Sequence, residues 1–98
     1  MSAPLRHITR VARALAEPVR VRLLTELAQR GSMLCTEVQQ LLRLAQPTVS
    51  HHIKVLQDAG LIRARREGRH LRIQLNAAAL QRFCRSLSEL VPTSSVPS

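Results

Sequence analysis

The sequence predicts a small, mainly helical α+β domain: five helices, with one two-stranded β-hairpin between the fourth and the fifth. Three observations carry this reading. Apolar residues recur at three- and four-residue steps up to Gly60 and again after Asn76, whereas between Leu61 and Leu75 the period drops to two. Pro and Gly fall at the seams between these stretches. With 98 residues, 45% of them hydrophobic, the chain can fill one core and has no length for a second domain.

The first helix opens at Pro4 and ends near Ala16, with Leu5, Ile8, Ala12 and Leu15 along one side and Arg6, Arg10 and Arg13 on the other. Pro18 starts the second without costing a needed donor; Val19, Leu23, Leu24 and Leu27 stripe it, and Gly31 stops it. A short third helix is expected from about Cys35 to Leu42, with Thr36 and Gln39 at capping-box spacing. Pro47 opens the fourth, and Gly60 closes it after Ala59. Ile62 and Ala64 then alternate with Arg63 and Arg65, Glu67-Gly68 makes a turn, and Leu71, Ile73 and Leu75 alternate with His70, Arg72 and Gln74. Asn76 is placed to cap a last helix over Ala77–Leu90, striped by Leu80, Phe83, Cys84 and Leu87.

A helix, a short turn, a second helix and then a basic hairpin is the order of a winged helix–turn–helix. Residues 1–90 form that domain in this reading, and 91–98, rich in Pro and Ser, are expected to be a disordered tail. The outer helices carry apolar stripes beyond what the middle of the domain can cover. Leaving them in water costs ~25 cal/mol per Å², so a homodimer joined through the terminal helices is expected.

Charge narrows the partner. Fifteen Lys+Arg against six Asp+Glu give a net charge of +9, which favours a polyanion. All the cations but Lys54 are Arg, whose planar fork suits phosphates and guanine edges of duplex DNA. A single Phe and no Trp or Tyr exclude the aromatic platforms that grip single strands. Neither a signal-peptide pattern nor a membrane-spanning apolar run is present, so a cytoplasmic protein without a membrane partner is expected. No nucleophile–base set and no phosphate-binding Gly loop point to an enzyme, and no cofactor is implied.

The segment Gln46–Leu56 concentrates the chemistry. At ~100° per residue Val49, Ile53 and Leu56 share one face, which must pack inward. Gln46, Thr48, Ser50, His51 and Lys54 then face outward, as small polar, amide, imidazole and ammonium groups suited to base edges and phosphates of a major groove. His52, at the border of the apolar face, is assigned to the interior. Arg63, Arg65, Arg66, Arg69 and Arg72 make the hairpin a basic prong against the single Glu67. They suit phosphates or the minor groove, and they also blunt a strand edge. An alternative partner class stays open here: an architectural or RNA-binding module without regulated release.

The stretches Ala14-Leu15-Ala16-Glu17-Pro18-Val19-Arg20, Gln46-Pro47-Thr48-Val49-Ser50-His51-His52, Leu56-Gln57-Asp58-Ala59-Gly60-Leu61 and Arg65-Arg66-Glu67-Gly68-Arg69 resemble the signature of the ArsR/SmtB family of bacterial winged-helix repressors. The resemblance spans roughly 5–90. It implies a dimer joined by its first and fifth helices, bound to an inverted-repeat operator and released by an inducer, often a metal or a thiol-reactive species. The chain departs from the family's metal sites. The window matching the family's Leu-x-Cys-x-Cys reads Met33-Leu34-Cys35-Thr36-Glu37, and Asn76–Leu90 holds neither His nor Asp for a zinc-type site. Ala45 stands where a Ser usually caps the recognition helix. Cys35 and Cys84 remain: inert core thiols, a redox or persulfide switch, or part of a thiolate site for a metal or arsenite.

Overall fold

Around the helix that Pro18 and Gly31 bracket, the other elements assemble. The computed structural model describes residues 3–91, so Met1, Ser2 and the expected tail beyond Val91 lie outside the described residues. The order is α1 (Ala3–Leu15), α2 (Pro18–Arg30), β1 (Ser32–Leu34), α3 (Cys35–Leu42), α4 (Gln46–Asp58), β2 (Ile62–Glu67), β3 (His70–Leu75) and α5 (Ala77–Ser88). All five helices and the hairpin stand where periodicity put them, with ends shifted by one or two residues.

The core draws on every element. Leu23 and Leu27 of α2, Val38 of α3, Val49 and Leu56 of α4 and Val11 of α1 are fully or almost fully shielded, with Phe83 of α5 closing one end. On α1 the inward residues are Val11 and Ala14, with Ile8 and Leu15 half-buried; Leu5 and Ala12, expected on the same stripe, are exposed. On α5, Ala79 and Phe83 are buried while Cys84 and Leu87 face out. Both outer helices thus have one apolar edge satisfied and another uncovered.

One strand was not anticipated. β1 pairs with β3, so the hairpin belongs to a three-stranded antiparallel sheet in the order β1-β3-β2. Met33 opposes Ile73, which opposes Ala64, and this row points to the helices; Met33 and Ile73 are completely buried. Three residues are too few to show alternation, so the strand is visible only in its pairing with β3. Two local expectations are corrected as well. The turn residues are Gly68 and Arg69, because Glu67 pairs with His70; Gly68 adopts φ 61°, and Arg69 keeps a negative φ, as in a II′ turn. At α3 it is Glu37, not Gln39, that reaches back, its carboxylate accepting from the Leu34 N–H at 2.7 Å, and Thr36 lies inside the helix.

Asn76 fastens the sheet to both flanking helices. Its Oδ1 accepts from the Ala79 N–H at 3.3 Å and caps α5, as its position in the sequence suggested. Its Nδ2 donates to the Gly60 carbonyl at 3.1 Å, and its N–H to that of Leu61 at 2.8 Å, just past α4. Asn76→Ala removes both side-chain bonds. A loss of about 1–2 kcal/mol is expected, read as a lower urea midpoint with an unchanged slope.

Candidate nucleic-acid interface

The three residues Arg43–Ala45 join α3 to α4, and Arg43 takes a left-handed conformation (φ 54°, ψ 44°). That turn is tight enough for the Arg43 N–H to bond the Gln39 carbonyl at 2.8 Å, closing α3 as α4 begins. Ala45 supplies only its carbonyl to the start of α4, accepting from Thr48 and Val49 at 3.0 Å each, with no side-chain cap. The first turn carries no acid, and its Thr48 and Val49 amides are taken by that carbonyl while Pro47 has none, so the helix dipole rather than a row of free N–H groups makes this end positive.

Burial of Val49, His52, Ile53 and Leu56 turns the opposite side of α4 outward. Gln46, Thr48, Ser50, His51 and Lys54 are all exposed. Lys54 makes only a loose 3.8 Å pair with Asp58, both side chains well solvated. A groove of about 430 Å³ runs from this helix to the hairpin, bringing Gln46 and Ser50 together with Arg66 and Arg69; Gln39 and Cys35 of α3 line it too.

The hairpin arginines do not act alike. Register places Arg66 opposite Leu71, on the helix-facing side, whereas Arg63, Arg65 and Arg72 share the outer face with Gln74. Arg72 is committed: its Nε donates to the Glu67 carboxylate at 2.8 Å and a terminal nitrogen donates to Ser32 Oγ at 3.0 Å, bracing all three strands. Arg65 joins it on Glu67 at 2.9 Å but stays largely exposed. These two hydrogen bonds hold the Glu67 carboxyl below its ordinary range. Arg63, Arg66 and Arg69 make no ion pair among the described residues.

Behind α4 lies a tie that sequence reasoning missed. Arg20 of α2 donates to the Ala14 carbonyl at 2.7 Å and the Arg13 carbonyl at 3.2 Å, ending α1, and to Nδ1 of His52 at 3.2 Å. A guanidinium has only donors, so Nδ1 carries the lone pair and the ring proton is on Nε2. His52 is buried, as its border position suggested. Burial and the Arg20 charge push its pKa down. The sequence signal for Arg20 was only its place after Pro18; that it joins α1 to α4 depends on a contact 32 residues apart.

The two cysteines line different grooves. Cys35, at the start of α3, is half-buried beside Arg66, and burial pushes its thiol up despite that charge. Cys84 is exposed on α5 near Leu75, Leu80 and Arg85, which places it outside the core. Among the described residues no three His, Cys, Asp or Glu side chains gather as a metal site, so the donor set does not fit the family's metals within one chain. No helix among them is long and apolar enough to cross a membrane.

Residues 15–65 match the family model described as a helix-turn-helix domain. The transcriptional repressor SdpR of Bacillus subtilis is 30% identical over 71 residues, covering 72% of this chain and 78% of that protein. The transcriptional repressor SmtB of Mycobacterium tuberculosis is 41% identical over 64 residues, covering 64% of this chain and 46% of its own length. Several other curated relatives are likewise matched over only 50–65% of their length. Among solved structures, the homodimeric winged helix-turn-helix DNA-binding domain of a protein from Mycobacterium bovis described as a possible ArsR-family transcriptional regulator superposes with a TM-score of 0.72 at 26% identity, covering 95% of this chain and 84% of that one.

The His52 tie has a pH consequence. Its folded pKa lies below the unfolded value of about 6.5, so the unfolded chain binds the extra proton first. The stabilisation is complete above that value and is lost as pH falls through it toward the folded pKa. Wild type should lose thermal stability between pH 7 and 5 more steeply than His52→Gln, whose amide oxygen accepts from Arg20 without titrating; equal slopes in a Tm-versus-pH series would remove the tie.

Proposed function

Because the chain belongs to the ArsR/SmtB family of winged helix–turn–helix transcriptional regulators, we propose that it acts as a homodimeric repressor on an inverted-repeat operator in the cytoplasm. The family consists of sequence-specific DNA-binding regulators and not of enzymes, and this chain is one of them. The observation that carries the proposal is the exposed polar face of α4 beside a groove it shares with free arginines of the hairpin. In this reading α4 enters a major groove N-terminus first. Gln46, Ser50 and His51 meet base edges, and Thr48 and Lys54 hold phosphates. Arg63, Arg66 and Arg69 follow the backbone or the adjacent minor groove; Arg65 helps when it leaves Glu67, and Arg72 keeps the prong in shape.

Dimerisation has support in the uncovered apolar side chains. Leu5 of α1, Val21 of α2, Leu87 of α5, and Leu90 and Val91 just beyond it are between 39% and 52% exposed. The M. bovis relative is a homodimer. A two-fold pairing through α1 and α5 buries these residues and sets two α4 helices ~34 Å apart, one turn of the duplex. Release by a thiol-reactive species belongs to this reading, acting at Cys84, exposed on α5, or at Cys35, half-buried at the start of α3; a metal does not, since the two thiols line different grooves and no metal-binding cluster forms among the described residues.

Substitutions separate the roles. Arg66→Ala or Arg69→Ala should weaken binding to every duplex and lower the steepness of log K against log salt by about one each. Ser50→Ala or His51→Ala should shift sequence preference by roughly 1–3 kcal/mol at one base position, the salt slope holding. Fluorescence anisotropy at several salt concentrations reads both, and unchanged curves for all four variants would reject the interface.

A further inference from the structure

A second basic feature lies on the opposite flank of α4 and has no part in the interface above. Arg6, Arg10 and Arg13 follow one another at steps of four and three on α1, so they form one row about 10 Å long. The row borders a cleft of about 470 Å³ between α1 and the C-terminal half of α4. Ala14 and Ala59, 1% and 6% exposed, form its floor with Val55; Thr9 and Asp58 stand at its edge. None of the three guanidinium groups lies within ion-pair distance of a carboxylate among the described residues, and all six Asp and Glu side chains are among these. Asp58, the acid at the cleft, is shared loosely with Lys54. Three like charges in a row repel one another, and no carboxylate among the described residues pairs with them.

We infer that the α1–α4 cleft binds a small organic anion, a carboxylate or phosphate ester with a compact apolar body. Arg6, Arg10 and Arg13 hold its charged end, and Ala14, Val55 and Ala59 receive its apolar part. The volume lies within the ~300–1,000 Å³ of small-molecule clefts, and an apolar floor under a few convergent polar groups is their usual make-up. A DNA backbone fits less well. Gln46 and Ser50 line the other flank of α4, and Asp58 repels a run of phosphates at the cleft's edge. The two walls are joined at one end by Arg20, which bonds the last turn of α1 and His52 of α4. An anion wedged between them changes the setting of α4 against the outer helix in proportion to its preference for one setting. That consequence for DNA rests on the regulator reading; the binding itself does not.

The probes are phenyl phosphate and benzoate, with benzyl alcohol as the uncharged control, titrated into the whole chain and followed by NMR. At least one anion should move the Arg6, Arg10 and Arg13 Nε–H signals and the Val55 and Ala59 amides saturably at millimolar concentration; benzyl alcohol should not. Arg10→Ala should weaken that binding about tenfold, while Asp58→Asn should strengthen it. Arg10→Ala should also keep wild-type operator affinity and salt slope. Lack of saturation by either anion, equal affinity in Arg10→Ala, or an operator salt slope reduced by about one in that variant would each overturn the inference, the last by making the row a DNA-backbone contact. Wild type that ignores every duplex yet binds the anions would sink the regulator reading and leave the cleft intact.

Discussion

The apolar side of α4 has to leave water, and the orientation of nearly every polar group of consequence follows from that. Val49, Ile53 and Leu56 pack into the common core with Leu23, Leu27 and Val38. Once they are inside, the helical repeat leaves Gln46, Ser50, His51 and Lys54 outside, along a rigid rod. Burying three such side chains stabilises the domain by roughly 1.5–3 kcal/mol each, far more than any exposed ion pair on the surface. The core therefore sets the presentation of the helix, and the surface charges are free to serve a partner.

Within the hairpin the same composition divides into two jobs. Arg72 and Arg65 gather on Glu67, and Arg72 also reaches Ser32, so the one acid of the hairpin holds the sheet together at its outer face. The pair at Arg65 is exposed and contributes little energy; Arg72, partly shielded and bonded to two strands, has a fixed geometry. Arg63, Arg66 and Arg69 pair with no carboxylate among the described residues. A prong with some arginines anchoring and others uncommitted keeps its shape while presenting charge to a polyanion.

One polar tie joins α1 to α4, and beside it the two helices stand across an open cleft. Arg20 ends α1 and holds His52, and the row of arginines on α1 faces the far half of α4 across a cleft. α1 and α4 are thus tied at one end by the polar contacts of Arg20, while Val11 and Ala14 of α1 share the core with Val49, Ile53 and Leu56 of α4.

Periodicity and punctuation alone determined the five helices, the hairpin, the inward face of α4, the buried position of His52 and the cap at Asn76. Each of these is set by interactions within about one or two turns of chain, which local sequence encodes. Tertiary structure decided the rest. β1 exists because Met33 finds a place against Ile73; Arg72 is a brace because Ser32, forty residues away, lies across the sheet; and Arg20 matters because His52 folds back over it. Cys84 and Leu87, read as part of an inward stripe, lie outside because Ala79 and Phe83 already fill the space available to α5. A pattern of residues fixes which face of an element is apolar, but how much of that face one chain can cover depends on what the other elements leave open.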